Sequence, residues 1–356
     1  MNRPLKIVHC ANFSYFQNGK AFYAMDRKIT YGLISQGHFV YDFSYRDVAR
    51  AERFLGFKEK SINKMNNALI KTCKNIEPDL LLLAKSEFIY PETLATIKQL
   101  FPSIKIAKWF VDFLNREEKQ FFKQFDYISH FFQTSAAELP TLSERFAHLK
   151  CLYMPNITDP AIDKYIDNPT KKYDIIYIAR DHKEDVRHQF AIALENFCKH
   201  NNLSIKIYAS LGNPPIFGSL YYQAISQAKI AINFNREDLL EGENKEKFMG
   251  SSDRMNHFMG AGTCTFSPKI RGLEMLYKDG QDVIYFDGLQ DCFSKIMEYL
   301  QNDKYKIIGN NGNSKAYAIS NSKKVTNFML ETIFEQAYSQ TYEWQDLCYP
   351  ARGRCV

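Results

Sequence analysis

The sequence predicts an α/β protein built from two doubly wound, Rossmann-like domains. Three observations carry this reading. Short apolar runs alternate with helical periodicity through residues 6–134, and the alternation lapses at 155–173, where three prolines fall, then restarts at Asp174. The run 80–84 is apolar throughout, as a strand covered on both faces of a parallel sheet must be. At 356 residues the chain also exceeds what one core usually fills.

The elements follow in order. Residues 6–11 read as a first strand, and Phe22, Met25, Ile29 and Leu33 then recur at helical spacing up to Gln36-Gly37. Residues 39–43 form the second strand, and Ile62, Met65, Leu69 and Ile70 line a helix leading to the 80–84 strand. Pro91 opens the next helix, and 104–112 and 126–134 are further strands. After the linker, 174–179, 204–209, 229–235, 263–267 and 282–286 read as strands, with helices at 184–200 and 218–228. A helical tail over 303–342 has Phe328, Leu330, Ile333 and Phe334 on its apolar face. The expected division is a first domain at 1–155, a linker at 156–173, a second domain at 174–320, and a tail at 321–356 that packs back on the first domain.

The formal charge of +6 is uneven: residues 1–150 hold 22 Lys and Arg against 15 Asp and Glu, and the rest hold 24 against 25. A basic first half suits an acidic surface such as a bilayer leaflet or a phosphorylated acceptor, and it also suits ordinary lysine-rich helix faces. Without a basic run interleaved with aromatics, no nucleic-acid partner is expected. Eight scattered cysteines without C-x-x-C read as reduced thiols, which places the protein in the cytoplasm. Apolar runs are too short to cross a bilayer, so any membrane contact is peripheral, at its inner face.

The segment 251–286 is the most informative. Ser251, Ser252 and Asp253 are good N-caps, Arg254 falls in the first helical turn, and Gly260-Ala261-Gly262 ends the helix before the next strand. Unpaired N–H groups, the positive end of the helix and an arginine make a seat for a diphosphate. Other familiar sites are missing: no G-x-x-x-x-G-K-[ST], no G-x-G-x-x-G after the first strand, no Asp-x-Asp, no His pair at metal-ligand spacing and no G-x-S-x-G. No metal and no cofactor is expected. Ligands of such sheets bind beyond the carboxyl ends of the strands, so an interdomain cleft would face 14–20, Asp112, 179–183, 212–215, Asn235 and 251–262.

That layout is the one found in GT-B glycosyltransferases. The 217–222 stretch FGSLYY followed by AKIAIN at 228–233, the S-x-R of Ser252 and Arg254 with Gly262 eight residues on, Gly272-Leu273-Glu274 with DGQD at 279–282, and IGNNG at 308–312 resemble the Glyco_trans_1-like region of CgeB-type glycosyltransferases. The resemblance covers about 150–335. It implies a sugar transferase without metal, whose partners are a nucleotide-sugar donor and a glycan, lipid-linked or protein acceptor. One position departs: His257 stands where the family has the glutamate that commonly holds the donor ribose, which leaves Glu274 as the remaining carboxylate there.

Transfer requires cations on the leaving diphosphate and, where configuration inverts, a base on the acceptor hydroxyl. The donor candidates are Arg254 with Ser252 and Asp253, then Arg180 and Lys183 after the 174–179 strand, with Asn235, His257, Gly262 and Glu274 around them. The base candidates are Asp112 at the end of the 104–112 strand, Asp26 beside Arg27, and His9 in the first strand; each also has a purely structural reading. Two other functions remain open: a nucleotide-sugar epimerase on the same scaffold, and a non-catalytic glycan-binding, nucleotide-binding or coat-associated protein.

Overall fold

A computed structural model describes residues 3–53, 58–114, 117, 119–163, 166, 169–236, 238, 240 and 244–349. The chain divides into two units, Met1–Pro155 with Ser322–Val356, and Asn156–Asn321.

The first unit opens with β1 (Lys6–Ala11), α1 (Met25–Ser35), β2 (Phe39–Ser44), α2 (Tyr45–Ala51), α3 (Lys58–Ile76), β3 (Leu80–Leu83), α4 (Pro91–Leu100), β4 (Lys105–Phe110), α5 (Lys119–Lys123), β5 (His130–Gln133), α6 (Leu139–Arg145) and β6 (Lys150–Tyr153). β1 pairs in parallel with β2 and β3, and the run continues through β4, β5 and β6. The chain therefore winds outward from β1 to β2, then reverses to β3. That reversal opens a crevice beyond the carboxyl ends of β1 and β3. All four side chains of β3 are buried, as its unbroken leucines require.

The second unit repeats the plan with β7 (Tyr173–Ile178), α7 (Val186–His200), β8 (Ile205–Tyr208), α8 (Ser219–Ser226), β9 (Ala228–Ile232), β10 (Asn244–Phe248), α9 (Asp253–Gly260), β11 (Cys264–Pro268), β12 (Ile270–Arg271), β13 (Ile284–Phe286), α10 (Gly288–Leu300) and α11 (Lys304–Ile319). Its parallel sheet runs β13-β11-β9-β7-β8, so winding reverses between β7 and β9, while β10 and β12 form a separate ladder. Phe190 of α7 stacks on Phe234 at 4.2 Å between ring centroids, within a core that includes Ile175, Tyr177, Ile232 and Phe266.

The chain then returns to the first unit through α12 (Ser322–Ile333) and β14 (Cys348–Tyr349). α12 packs on α1, where Gly32 leaves room for the Ser322 carbonyl and Thr326, and β14 pairs antiparallel with β6.

Several expectations need correcting. Residues 156–163 are not a free linker: the Asn256 amide donates to the Asn156 carbonyl and Thr158 Oγ1, both at 2.8 Å, and the Thr158 amide donates to the Ser320 carbonyl at 3.0 Å. Buried polar groups at both ends of that hydrogen-bonded set give the segment a fixed place in the second unit. Of the rest of the expected linker, 164, 165, 167 and 168 lie outside the described residues. The tail is not helical throughout, because it breaks at Ser320 and Asn321 and leaves the helical state after Ile333. The expected strand at 126–134 shrinks to β5, with residues 124–127 in a 3₁₀ turn. Cys348 is disulfide-bonded, where a reduced thiol was expected; the free thiols at 10, 73, 151, 198, 264 and 292 are buried. Among the described residues, no helix is long and apolar enough to cross a membrane.

Candidate functional site

In the second unit, the winding reversal between β7 and β9 gathers three guanidinium groups. Arg187 lies in the first turn of α7, directly behind its N-cap Asp185, whose side chain accepts from the Arg187 amide at 3.0 Å. Arg236 follows β9 and donates from Nε to Asp185 at 2.8 Å. Arg254 lies in the first turn of α9, and its Nη1 donates to the Phe234 carbonyl at 3.3 Å. Burial first, and then the Arg254 and Arg236 charges, push Arg187 below the ordinary arginine pKa. Asp185 is the carboxylate that offsets them; burial opposes its ionisation, yet the Arg187 amide and Arg236 hold it below the usual range. The Arg187 Nη1 group donates to the Arg180 carbonyl at 2.8 Å, which anchors it to the loop after β7. Excess positive charge beside two helix N-termini, α7 and α9, is a setting that an anion would relieve.

The N-terminus of α9 is placed by a hydrogen bond that reaches out of the helix. Ser252 is its N-cap residue, but its hydroxyl donates to Asn233 Oδ1 at 2.7 Å, and Asn233 in turn donates to Ser267 Oγ at 3.2 Å. The helix start is thereby tied to the ends of β9 and β11. Asp253 is exposed at the first helical residue. Asn235 is buried and its amide bonds the Asp238 carboxylate, which also pairs with Lys247 of β10. Arg180 and Lys183 are exposed on the loop after β7. Glu274 is exposed in a short 3₁₀ turn that follows the carboxyl end of β11 and β12, on the same side of the sheet as the arginines.

Two expected donor residues sit elsewhere. His257 shares α9 with Arg254 but turns inward: it is 4% exposed, its Nδ1 lies 3.2 Å from the Tyr221 hydroxyl, and its ring packs edge-on against Tyr221 and Tyr222. An aromatic-lined interior accommodates a neutral imidazole where it would penalise a carboxylate. Gly262 lies past the far end of α9, about 12 Å along the axis from its N-terminus. With φ at +69° it turns the chain into the amino end of β11, and its carbonyl lies where a Cβ on Gly309 would collide, at 2.5 Å. Its role is the packing of α11 on β11.

In the first unit, a cavity of about 140 Å³ opens beyond the carboxyl ends of β1, β3 and β4, at the winding reversal, and is lined by Asn12, Asp26, Tyr45, Arg46, Lys85 and Trp109 among others. Asp26 is half-buried at its wall; burial raises its pKa from 3.8 to about 6, although the Asn12 amide donates to it at 3.1 Å and Arg46 and Arg27 oppose the shift. Asp112 lines the same cavity and is exposed. The loop after β3 is held from below by Lys108, a fully buried lysine of β4 whose ammonium donates to the Lys85 carbonyl at 2.7 Å, Ser86 Oγ at 2.8 Å and Gln124 Oε1 at 2.7 Å.

His9 does not reach the cavity as a free base. It is completely buried, and Trp109 donates its indole N–H to Nε2 at 3.1 Å. An indole nitrogen can only donate, so the proton sits on Nδ1 and goes to Thr30 Oγ1 at 2.9 Å; the Thr30 hydroxyl then donates to Asp42 at 2.6 Å. Burial and Arg27 push the imidazole down to about 3, so it is neutral at any physiological pH. His9 orients Trp109.

Arg187 and Arg236 were not singled out from the sequence, although Asp185 before an arginine in the first helical turn is the same signal that marks Arg254. The expected helix start at Glu184 puts Asp185 inside the helix, whereas the structure makes it the N-cap.

Residues 179–320 match the family model described as glycosyl transferase-like, inside the stretch whose motifs show the resemblance. No curated protein matches the chain. Among solved structures, a sucrose-phosphate synthase from Thermosynechococcus elongatus superimposes with a TM-score of 0.61 at 11% identity, covering 94% of this chain and 99% of that one. Anabaena HepE, solved in complex with UDP and glucose, gives 0.57 at 13% identity over 93% and 100%. The pneumococcal O-GlcNAc transferase GtfA, in complex with UDP and GlcNAc, gives 0.52 at 16% identity over 75% and 59%. The fold is that of the GT-B glycosyltransferases, and the second unit carries a glycosyl transferase-like region.

Proposed function

We propose that the protein transfers a sugar from a nucleoside-diphosphate donor to an acceptor hydroxyl, without a metal. The observation that carries the reading is the group of Arg187, Arg236 and Arg254 at the winding reversal of the second unit, next to the N-termini of α7 and α9. A nucleoside diphosphate leaving as the anomeric C–O bond breaks gains negative charge, and fixed guanidinium groups in a half-buried setting stabilise that charge in place of a divalent cation. The UDP complexes of HepE and GtfA support a nucleotide as the ligand of this fold, and make UDP the first donor nucleotide to test.

The acceptor belongs to the first unit. Asp26, with a pKa near 6, is largely ionised at neutral pH yet still basic enough to take a proton from a sugar hydroxyl. The acceptor oxygen forms the new bond to the anomeric carbon, its proton goes to Asp26, and the electron pair of the broken bond leaves with the diphosphate. A cavity of about 140 Å³ suits a sugar unit at the reacting end of a glycan, lipid-linked or protein acceptor.

Calorimetric titration with UDP, GDP, ADP and CMP tests the reading. At least one nucleotide should bind, and R187A and R254A should weaken it. Absence of binding by all four would refute the assignment, and turnover of a nucleotide sugar with no acceptor present would favour an epimerase instead.

A further inference from the structure

We propose that a second cavity of the first unit holds the next ring of a neutral oligosaccharide whose terminal hydroxyl reaches Asp26. This cavity has a volume of about 420 Å³, within the range of sites that enclose a small molecule. Leu114, Phe122 and Leu142 give it an apolar wall, and Glu117, Glu138, Thr141 and Arg145 supply its polar groups. The inference rests on the reading of the first cavity as the acceptor site.

The two cavities lie side by side at the carboxyl edge of the sheet. Asp112 lines the first and Leu114, two positions on, lines the second; two residues span at most about 7 Å. Lys85 of the first cavity pairs with Glu117 of the second at 2.6 Å. Gln133, fully buried at the end of β5, donates from Nε2 to the Asp112 carbonyl at 2.9 Å and to Glu138 at 3.4 Å. Glu138 also accepts from the Leu114 amide at 2.8 Å. The stretch between the cavities is thus held at Asp112 and at Leu114, and an acceptor longer than one ring crosses it from one cavity into the other.

The polar groups fit uncharged hydroxyls. Glu117 and Glu138 are negative, Lys85 and Arg145 positive, and the four charges cancel. Such a set offers no excess charge for an acidic sugar or a phosphate to neutralise. It does offer both hydrogen-bonding roles: carboxylates only accept, a guanidinium only donates, and the Thr141 hydroxyl does either, as a sugar hydroxyl does. Glu138 makes its bonds to Leu114 and Gln133 through Oε2, which leaves Oε1 to accept from a ligand. The Arg145 guanidinium is held 4.9 and 5.1 Å from the centres of the Phe122 and Phe146 rings, a placement that leaves its N–H groups to donate. Phe122 and the two leucines suit the C–H face of a sugar ring. An alkyl chain in the same cavity would strip water from Glu138 and Arg145 without replacing its hydrogen bonds.

The test is binding of the full chain to an array of neutral, uronate-bearing and phosphorylated glycans, from single sugars to tetrasaccharides. At least one neutral glycan of two or more rings should bind about tenfold more tightly than any single sugar. R145Q should lose about tenfold on that glycan through its missing charge-assisted hydrogen bonds, and T141W, at an exposed position of the cavity wall, should lose as much by filling the space. Both variants should keep the native unfolding temperature; should R145Q fail to fold, T141W carries the same comparison. No glycan binding, equal binding of single sugars and longer neutral glycans, a preference for the uronate-bearing or phosphorylated ones, or native-like binding by T141W would overturn the proposal. Nucleotide titration of the same chain separates it from the transferase reading. Nucleotide binding without glycan binding removes this inference alone, and glycan binding without nucleotide binding removes the transferase reading and keeps the glycan cavity.

Discussion

Replacing Asp26 with asparagine should stabilise the protein and abolish transfer, and the size of the stabilisation should depend on pH. The native carboxyl titrates near 6 against 3.8 in a free chain, a rise of about 2 units. At about 1.4 kcal/mol per unit, holding the ionised form in its half-buried site costs up to about 3 kcal/mol. Its edge opens on the cavity, and water there screens part of that, so about 1.5–3 kcal/mol is the expected range. A carboxyl with a raised folded-state pKa contributes most below pH 3.8, and that contribution is lost as the pH climbs through 6. The D26N chain keeps an acceptor for the Asn12 amide and has no charge to bury. Urea unfolding at pH 4 and pH 8 should therefore show the two proteins nearly matched in acid and the variant ahead at pH 8. A difference that is constant across that range would show that Asp26 is not held against its ionisation. A variant that still transfers sugar at the native rate would remove Asp26 as the base.

Other outcomes follow from the same geometry. R187A should weaken nucleoside-diphosphate binding at least about tenfold in calorimetry while barely changing binding of the free nucleoside, because the lost contact is with phosphate. H9A removes the buried partner of the Trp109 indole and should cost about 2–3 kcal/mol in urea unfolding at neutral pH; because His9 is held at about 3 in the folded chain and protonates near 6.5 in the unfolded one, native stability should fall as the pH drops from about 6.5 towards 3, and H9A should remove that part of the fall. G309A places a Cβ 2.5 Å from the Gly262 carbonyl and should destabilise the chain by about 1–3 kcal/mol in thermal unfolding. G212A meets open space and should cost about 1 kcal/mol, from its φ of +79° alone.

The alternation of apolar runs placed the strands of the second unit's five-stranded sheet and β1 to β5 of the first unit's, because a buried parallel strand needs an unbroken apolar stretch such as Leu80-Leu81-Leu82-Leu83; the short β6 was not read as a strand. Where partners are distant or pairs are short, the sequence is silent. β14 is two residues long and exists by pairing with β6, nearly 200 positions earlier, and the 156–163 segment lacks periodicity because its order comes from hydrogen bonds to Asn256 and Ser320. Prolines suggested a linker there; the polar partners that hold it are far away in the chain.

The sequence by itself determined the doubly wound plan of each half and the helix start at Ser252 to Arg254, since both show in local periodicity and in the residue types that favour a helix N-terminus. Only the tertiary structure decided which polar groups face a ligand. His9 and Asp26 both follow from the residues near β1, yet one is sealed between Trp109 and Thr30 and the other opens on a cavity. Arg254 and His257 sit three residues apart on one helix, yet one remains at the helix mouth with Arg187 and the other enters a pocket of tyrosines. Burial, which sets charge and proton affinity, is a property of the neighbours that folding brings in from elsewhere in the chain.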